Sequence, residues 1–200
     1  MWLSPPETTR ILAEEQIALA KEHGFPDQMA RGRSLRGCAI AELDQAEEGL
    51  VELEANAALV PSWPMHVSAM LAQVRVRVRR EDQALHLIER AITKGEPTRH
   101  HEDSELHRLR SETLLLLNSL ATAEVDGCFR EAIKIARRQS ARWWELRATT
   151  SLARLLRKTN RSGEALRMLS EVYNWFTEGF DTADLKAAKA LLEELSNSPC

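Results

Sequence analysis

Residues 143–176, WWELRATTSLARLLRKTNRSGEALRMLSEVYNWF, consist of two amphipathic halves separated by the polar segment 158–163. Apolar residues recur in each half at spacings of three and four, which is typical of a helix that buries one face. Two small residues, Ala153 and Ala165, stand twelve positions apart, where the two helices would have to cross. The stretch therefore predicts a helical hairpin, and the rest of the chain varies the same pattern.

The composition favours a folded helical protein. Of the 200 residues, 44% are hydrophobic and 28% are charged, and the net charge is -3. That apolar content can bury a core, and the charge provides no overall attraction to nucleic acid or to an anionic membrane. The three cysteines are widely spaced and odd in number, which favours free thiols in a reducing compartment. Because the sequence shows neither a signal peptide nor a membrane span, we expect a cytoplasmic protein without membrane contact.

Helix start and stop signals divide the chain into helical pairs. Gly24 and Pro26 end a first helix, and Pro61 and Pro97 follow later periodic segments, since proline cannot continue a helix. The alternating segment Val74–Arg79 fits a strand in isolation, but the helical patterns on both sides favour a helix. The predicted elements are hairpins at 26–60, 63–95, 103–138 and 142–176 and end helices at 5–23 and 181–195, in a single domain over 1–200.

A repeat becomes visible when the small residue of each first helix is placed in register. The residues are Gly37, Ala72, Ser111 and Ala153, with steps of 35, 39 and 42 positions. Small residues at such positions let two helices approach closely. The pattern resembles the tetratricopeptide repeat (TPR), a helix–turn–helix unit of about 34 residues. The resemblance implies an all-α fold, a right-handed α-solenoid of about four hairpins plus end helices, and a non-catalytic role in protein binding.

Four strings in the C-terminal half carry a narrower resemblance. They are ELHRLRSE (105–112), CFREAIKIARR (128–138), ELRATTSLARL (145–155) and WFTEGFDTADLK (175–186). They are similar to the TPR-type tail of bacterial multidomain proteins in which a nucleotide cyclase or DNA-binding domain precedes a signal-transduction NTPase module. The resemblance implies a regulatory or sensor tail, or a stand-alone relative of one. The chain lacks the GxxxxGK[ST] phosphate-binding loop, so we expect no cofactor and no enzyme activity.

The candidate binding site is the groove that the first helices of such hairpins line. On the helix around Ser111 the inward positions include Glu105, Glu112, Leu115 and Leu116. The candidate binding residues are the basic side chains that would line this groove on the last three hairpins: Arg77, Arg108, Arg147, Arg154, Arg157 and Lys158. We therefore expect a protein or peptide partner with acidic groups, held by charge-assisted hydrogen bonds. The alternative is a solvated stripe whose arginines pair with neighbouring glutamates.

Two other functions are compatible with local features. The segment His100–His107 is rich in metal-ligand side chains and would suit a metal-dependent enzyme. It lacks the HExxH motif, because Glu105 stands in place of the second histidine, and a polar lead into a helix explains it equally well. Binding of nucleic acid by the basic groove is the other alternative, which the acidic chain as a whole disfavours. The sequence therefore predicts no metal site.

The N-terminal end of the array is predicted to be adhesive. The helix at 5–23 looks like the second half of a hairpin, and repeat arrays need polar surfaces at their ends. Trp2, Leu3, Ile11 and Ile17 would leave this end apolar, whereas the last helix can cap the other end. We therefore expect a homodimer through the N-terminal helix.

Overall fold

The computed structural model describes residues 5–59, 64–94 and 103–197. These residues form α-helices joined by turns, without strands, so the all-α prediction is confirmed. The helices are α1 (Pro6–Glu22), α2 (Pro26–Glu42), α3 (Ala46–Leu59), α4 (Pro64–Arg77), α5 (Glu81–Lys94), α6 (Asp103–Leu117), α7 (Thr122–Arg138), α8 (Arg142–Lys158), α9 (Ser162–Tyr173) and α10 (Ala183–Ser196). None of these helices is long and apolar enough to cross a membrane.

The backbone packs into two compact units, Met1–Gly95 and Glu96–Cys200. In the first unit α1 to α5 pack in chain order, and α2 also contacts α4. In the second unit α6 to α10 pack in chain order, and α8 contacts both α6 and α10. Alternate helices thus form an inner layer in each unit, as expected for stacked hairpins. The single domain over 1–200 stays a prediction.

The crossing positions are buried in every hairpin. Gly37 and Gly49 lie where α2 and α3 approach, and a Cβ atom added to Gly49 would lie 2.3 Å from the carbonyl oxygen of Gly37. Alanines occupy the crossings of α4 with α5 (Ala72, Ala84) and of α8 with α9 (Ala153, Ala165), and all four are at most 1% exposed. On α6 the corresponding residue is Ser111, which is 0% exposed. Small side chains therefore set the close approach of the paired helices.

One turn geometry recurs between the helices. Within the described part of the chain, five turns contain a residue with positive φ two positions before the next helix: Gly24, Asp44, Arg79, Ser140 and Asn160. In each, the following N–H donates to the carbonyl five residues earlier, for example Arg80 to Arg75 at 2.9 Å and Arg161 to Leu156 at 2.8 Å. This is the Schellman arrangement that satisfies the last carbonyls of a helix.

The segment Val74–Arg79 is helical for most of its length, as the flanking patterns predict. Val74 is buried in the first unit and Arg75 points across to α3, where its Nη2 contacts the Glu54 carboxylate at 3.0 Å. α4 ends at Arg77, and Arg79 takes the positive φ of the turn. The alternation of valine and arginine therefore arises on a helix that ends within the segment.

Candidate partner-binding face of the inner helices

The inner layer of the second unit consists of α6, α8 and α10. α6 and α8 run in the same direction, because Glu105 lies beside Arg147 and Glu112, seven residues later, lies beside Ser151. α10 continues the layer, because Asp184 lies near Arg147 and Glu194, towards the C-terminus of α10, contacts Arg157. The layer therefore presents side chains from three helices on one face.

The N-terminal halves of α6 and α8 enclose an ion network. Glu105 is 1% exposed and accepts a fork of two bonds from Arg108, at 2.8 Å from Nε and 2.7 Å from Nη2. Arg147 Nη2 reaches the same carboxylate at 3.1 Å, and the guanidinium lies over the Trp144 ring. Paired fork geometry of this kind is the strong form of an arginine–carboxylate contact.

Burial and neighbouring charges act against each other in this network. Burial would raise the pKa of Glu105, but Arg108 and Arg147 outweigh it and leave that pKa below its ordinary value. Burial would lower the pKa of Arg108, yet Glu105 and Glu112 raise it overall. For Arg147 burial prevails and the pKa is lowered. Glu105 therefore stays ionised in its buried position because two arginines face it.

The structure places the six predicted basic residues in different surroundings. Arg108 and Arg147 are 7% and 11% exposed and belong to the buried network, so they serve the fold rather than an open groove. Arg154 and Lys158 are exposed on α8 and form no ion pair within the described ranges. Arg157, between them, contacts Glu194 on α10. Arg77 belongs to the other unit, where it is exposed at the end of α4.

An apolar surface lies next to the exposed cations of α8. Since Glu112 contacts Ser151, one further turn along each helix brings Leu115 and Leu116 of α6 level with Arg154 of α8. Leu116 is 54% exposed and Leu115 is half-buried. We call the surface formed by Leu115, Leu116, Arg154, Arg157 and Lys158 the open face. The inward positions were predictable from periodicity, whereas the split between buried network and open face was not.

Half of the ligand-type side chains of the alternative metal site, namely His100, His101 and Glu102, lie outside the described residues. Of its remaining members, Glu105 is engaged by two arginines, and burial lowers the pKa of His107. Over 5–59, 64–94 and 103–197, no group of three or more histidine, cysteine or acidic side chains is arranged to hold a metal ion. The structure thus offers this alternative no support from the part that it describes.

The first helix carries an exposed apolar stripe. Ile11, Leu12 and Leu19 of α1 are each more than half exposed. Ile17, which the sequence placed in the adhesive end, is half-buried and faces α2 instead, where its Cγ1 would lie 2.8 Å from a Cβ atom added to Gly32. Trp2 and Leu3 lie outside the described residues. The exposed stripe is therefore formed by Ile11, Leu12 and Leu19, which lie on a different side of α1 from Ile17.

Comparison with known proteins identifies the fold. No protein-family model matches the sequence, and no curated protein matches it. The chain is similar to a variant of a kinesin light chain-like protein of Podosopora anserina with nearly identical TPR-like repeats (TM-score 0.62, 15% identity, 85% of each chain covered). It is also similar to BtubC (BKLC) from P. vanneervenii (TM-score 0.64, 13% identity, 96% of this chain and 90% of that one). The repeat pattern is thus confirmed, and the chain has the fold of TPR-like stacked helical hairpins.

Proposed function

We propose that the chain is a protein-binding module and that its open face holds an acidic segment of a partner protein. The observation that carries this proposal is the row of cations on the C-terminal half of α8. Residues 151–158 contain three basic side chains and no acidic one, and Arg154 and Lys158 are not engaged by other described residues. Exposed cations without partners can pair with an incoming carboxylate without first breaking an internal contact.

The apolar part of the open face narrows the partner further. By helix register Leu115 and Leu116 lie level with Arg154, so a segment that carries both leucine-like and acidic side chains matches the surface better than a purely acidic one. The apolar contact would supply affinity, and the charges would supply orientation and association rate. We therefore expect an amphipathic acidic segment.

A labelled synthetic peptide of alternating Glu and Leu tests the proposal by fluorescence anisotropy. We expect Arg154→Ala/Lys158→Ala to weaken binding about tenfold, which corresponds to about 1.4 kcal/mol. The control, Arg167→Ala/Lys189→Ala, removes the same charge from exposed positions on α9 and α10. Equal affinity of both double variants would contradict the proposal.

Tight binding of an oligonucleotide that weakens steeply with salt would favour the nucleic-acid alternative instead.

The biological setting belongs to the same proposal. The resemblance of residues 100–195 to tails of bacterial signalling proteins supports a regulatory or sensor role in an ATPase or nucleotide cyclase system. Affinity capture with the native chain and with Arg154→Ala/Lys158→Ala tests this setting. Recovery of an ATPase or cyclase that depends on the two cations would support it, and dependence of some unrelated protein on them would contradict it.

We also propose that two copies of the chain associate through α1. The apolar stripe of Ile11, Leu12 and Leu19 supports this, because a row of exposed leucines and isoleucines on one helix face is typical of an interaction surface. A second copy offers the same stripe, so the contact is self-complementary around a two-fold axis.

A further inference from the structure

Two hydrogen-bond donors of the inner layer converge on one carboxylate oxygen. Arg108 Nη1 lies 2.5 Å and Ser151 Oγ lies 2.6 Å from Oε1 of Glu112. Arg108 Nη1 also lies 3.4 Å from Ser151 Oγ, so the two donors are neighbours. The donors come from different helices, and the arginine is buried, yet the glutamate that they hold is 38% exposed. A buried pair of donors thus faces a carboxylate at the surface of the layer.

We propose that Arg108 and Ser151 form a carboxylate-binding subsite which Glu112 fills in the free protein and from which a carboxylate of the partner displaces it. The subsite stands on geometry alone, whereas the displacement step rests on the proposed function. Glu112 then acts as an internal competitor of the partner.

The contacts around Arg108 make the exchange feasible. Its Nε and Nη2 stay on Glu105, and only Nη1 holds Glu112. Release of Glu112 therefore leaves the buried guanidinium paired, which avoids the large cost of an isolated buried charge. Glu112 can turn into water from its exposed position. Its departure exposes a donor pair and leaves space for another carboxylate.

The position of the subsite connects it with the open face. Ser151 precedes Arg154 by three residues on α8, and Glu112 precedes Leu115 by three on α6, so each pair lies about one turn apart along its helix. An acidic segment on the open face could thus place one carboxylate at Arg154 and another at the subsite. A tethered group competes at a high effective concentration, so Glu112 would hold back partners that carry a single acidic side chain.

Chemical rescue by acetate tests the subsite without any partner. Glu112→Ala removes the internal carboxylate and leaves both donors in place. We expect sodium acetate to raise its thermal unfolding midpoint saturably, since a ligand that binds the folded state stabilises it, and sodium chloride at equal ionic strength to raise it less. For the native chain and for Glu112→Ala/Ser151→Ala, acetate and chloride should shift the unfolding midpoint by the same amount. An equal response of Glu112→Ala to acetate and chloride would overturn the proposal, and Glu112→Ser provides a second opened variant should the alanine variant fail to fold.

The displacement step is measured with the labelled Glu/Leu peptide. Glu112→Ala should bind it about tenfold more tightly than the native chain, whereas Glu178→Ala, which removes an exposed acidic group elsewhere in the unit, should not. Unchanged affinity of Glu112→Ala, with intact dependence on Arg154 and Lys158, would overturn the displacement and leave the proposed function standing. Failure of every variant to bind the peptide would contradict the proposed function and the displacement together, and the acetate result would still decide the subsite.

Discussion

Glu105 connects helices α6 and α8 in the inner layer of the second unit. It joins two arginines from different helices, and its carboxylate is almost inaccessible to water. A buried ion pair adds little net stability compared with a well-packed apolar pair, but the loss of one partner is costly because a buried charge remains. The network therefore defines which side chains must stay together rather than adding a large surplus of stability.

Removal of this carboxylate should destabilise the fold strongly. We expect Glu105→Ala to lower the free energy of unfolding by about 3–5 kcal/mol, because Arg108 and Arg147 lose their shared partner. Glu124→Ala is the control, since its contact with Arg110 is long and largely exposed, and it should change stability by less than about 0.5 kcal/mol. Urea denaturation of both variants gives the comparison. A small effect of Glu105→Ala would show that the two arginines find water or other partners.

Titration of Glu105 should make the stability of the fold depend on pH. The pKa of Glu105 is lower in the folded chain than its ordinary value of 4.5, so its contribution is complete above that value and is lost as the pH falls towards the folded pKa. The unfolding midpoint of the native chain should therefore decrease below about pH 4.5. In Glu105→Gln this decrease should be smaller, since the group no longer titrates. Parallel pH profiles for the two proteins would contradict the assignment.

The turns between helices are a repeated element that periodicity does not reveal. Asp44, Arg79, Ser140 and Asn160 all adopt positive φ, which side chains other than glycine rarely take. Local preference would place glycine at such positions. The chain uses glycine in only one of the five described turns, Gly24, because the Schellman hydrogen bonds and the packing of the following helix impose the geometry on whatever residue is present.

Glycine should accordingly improve one of these turns. We expect Arg79→Gly to raise the free energy of unfolding by about 0.5–1 kcal/mol, because it relieves a left-handed conformation. The Arg79 side chain is 85% exposed and its contact with Glu81 is at 4.0 Å, so little is lost. Arg79→Ala removes the same side chain without relieving the backbone and should give no gain. Equal midpoints for the two variants in urea would show that the turn is not strained.

Helix crossing is the second element that can be tested by single substitutions. Gly49→Ala should destabilise the chain by about 1–3 kcal/mol, because the new methyl group would collide with the backbone of α2. Gly127→Ala is the matched control: it lies within α7 with nothing within 4 Å of an added Cβ atom. That substitution should stabilise the chain by up to about 1 kcal/mol through helix propensity. Opposite shifts of the thermal midpoint are the expected result, and a stabilising Gly49→Ala would exclude the close crossing.

The chain as a whole has two unlike ends. The solvent-exposed side chains of α10 include Lys186, Lys189 and Glu193, which suits a terminal helix in water. Those of α1 include the apolar stripe beside charged side chains such as Glu14, Glu15 and Lys21. α1 therefore differs from α10 in exposing large apolar side chains, and the proposed homodimer is expected to form through α1.

If two copies associate through α1, the mass of the protein in solution should change when the apolar stripe of α1 is substituted. The native chain should behave as a dimer in light scattering at high micromolar concentration, because dimerisation removes the apolar stripe from water. Leu12→Glu/Leu19→Glu should be monomeric. Val51→Glu is the control, since Val51 is an exposed apolar residue on α3, and this variant should keep the mass of the native chain. A native monomer at that concentration would refute the proposed dimer.

Local pattern was sufficient for much of this architecture. Spacings of three and four indicate the helices, and the small residues Gly37, Gly49, Ala153 and Ala165 mark the crossings, because both depend on neighbours within one hairpin. The inward stripe on α6 and α8 follows from the same periodicity. What a short window of sequence contains is therefore enough to predict a TPR-like array and the side of each helix that faces inward.

The arrangement of charges required knowledge of the folded chain. Arg147 and Arg154 are equivalent in periodicity, yet one is bound by Glu105 from a helix 42 positions earlier and the other is exposed. Whether an arginine is neutralised depends on which side chain of a neighbouring helix stands at its height, and that register is set by packing of the whole layer. The helices and their crossings could thus be predicted from the spacing of residues in the sequence. The buried network, the open face and the subsite held by Glu112 depend on contacts between residues far apart in the sequence.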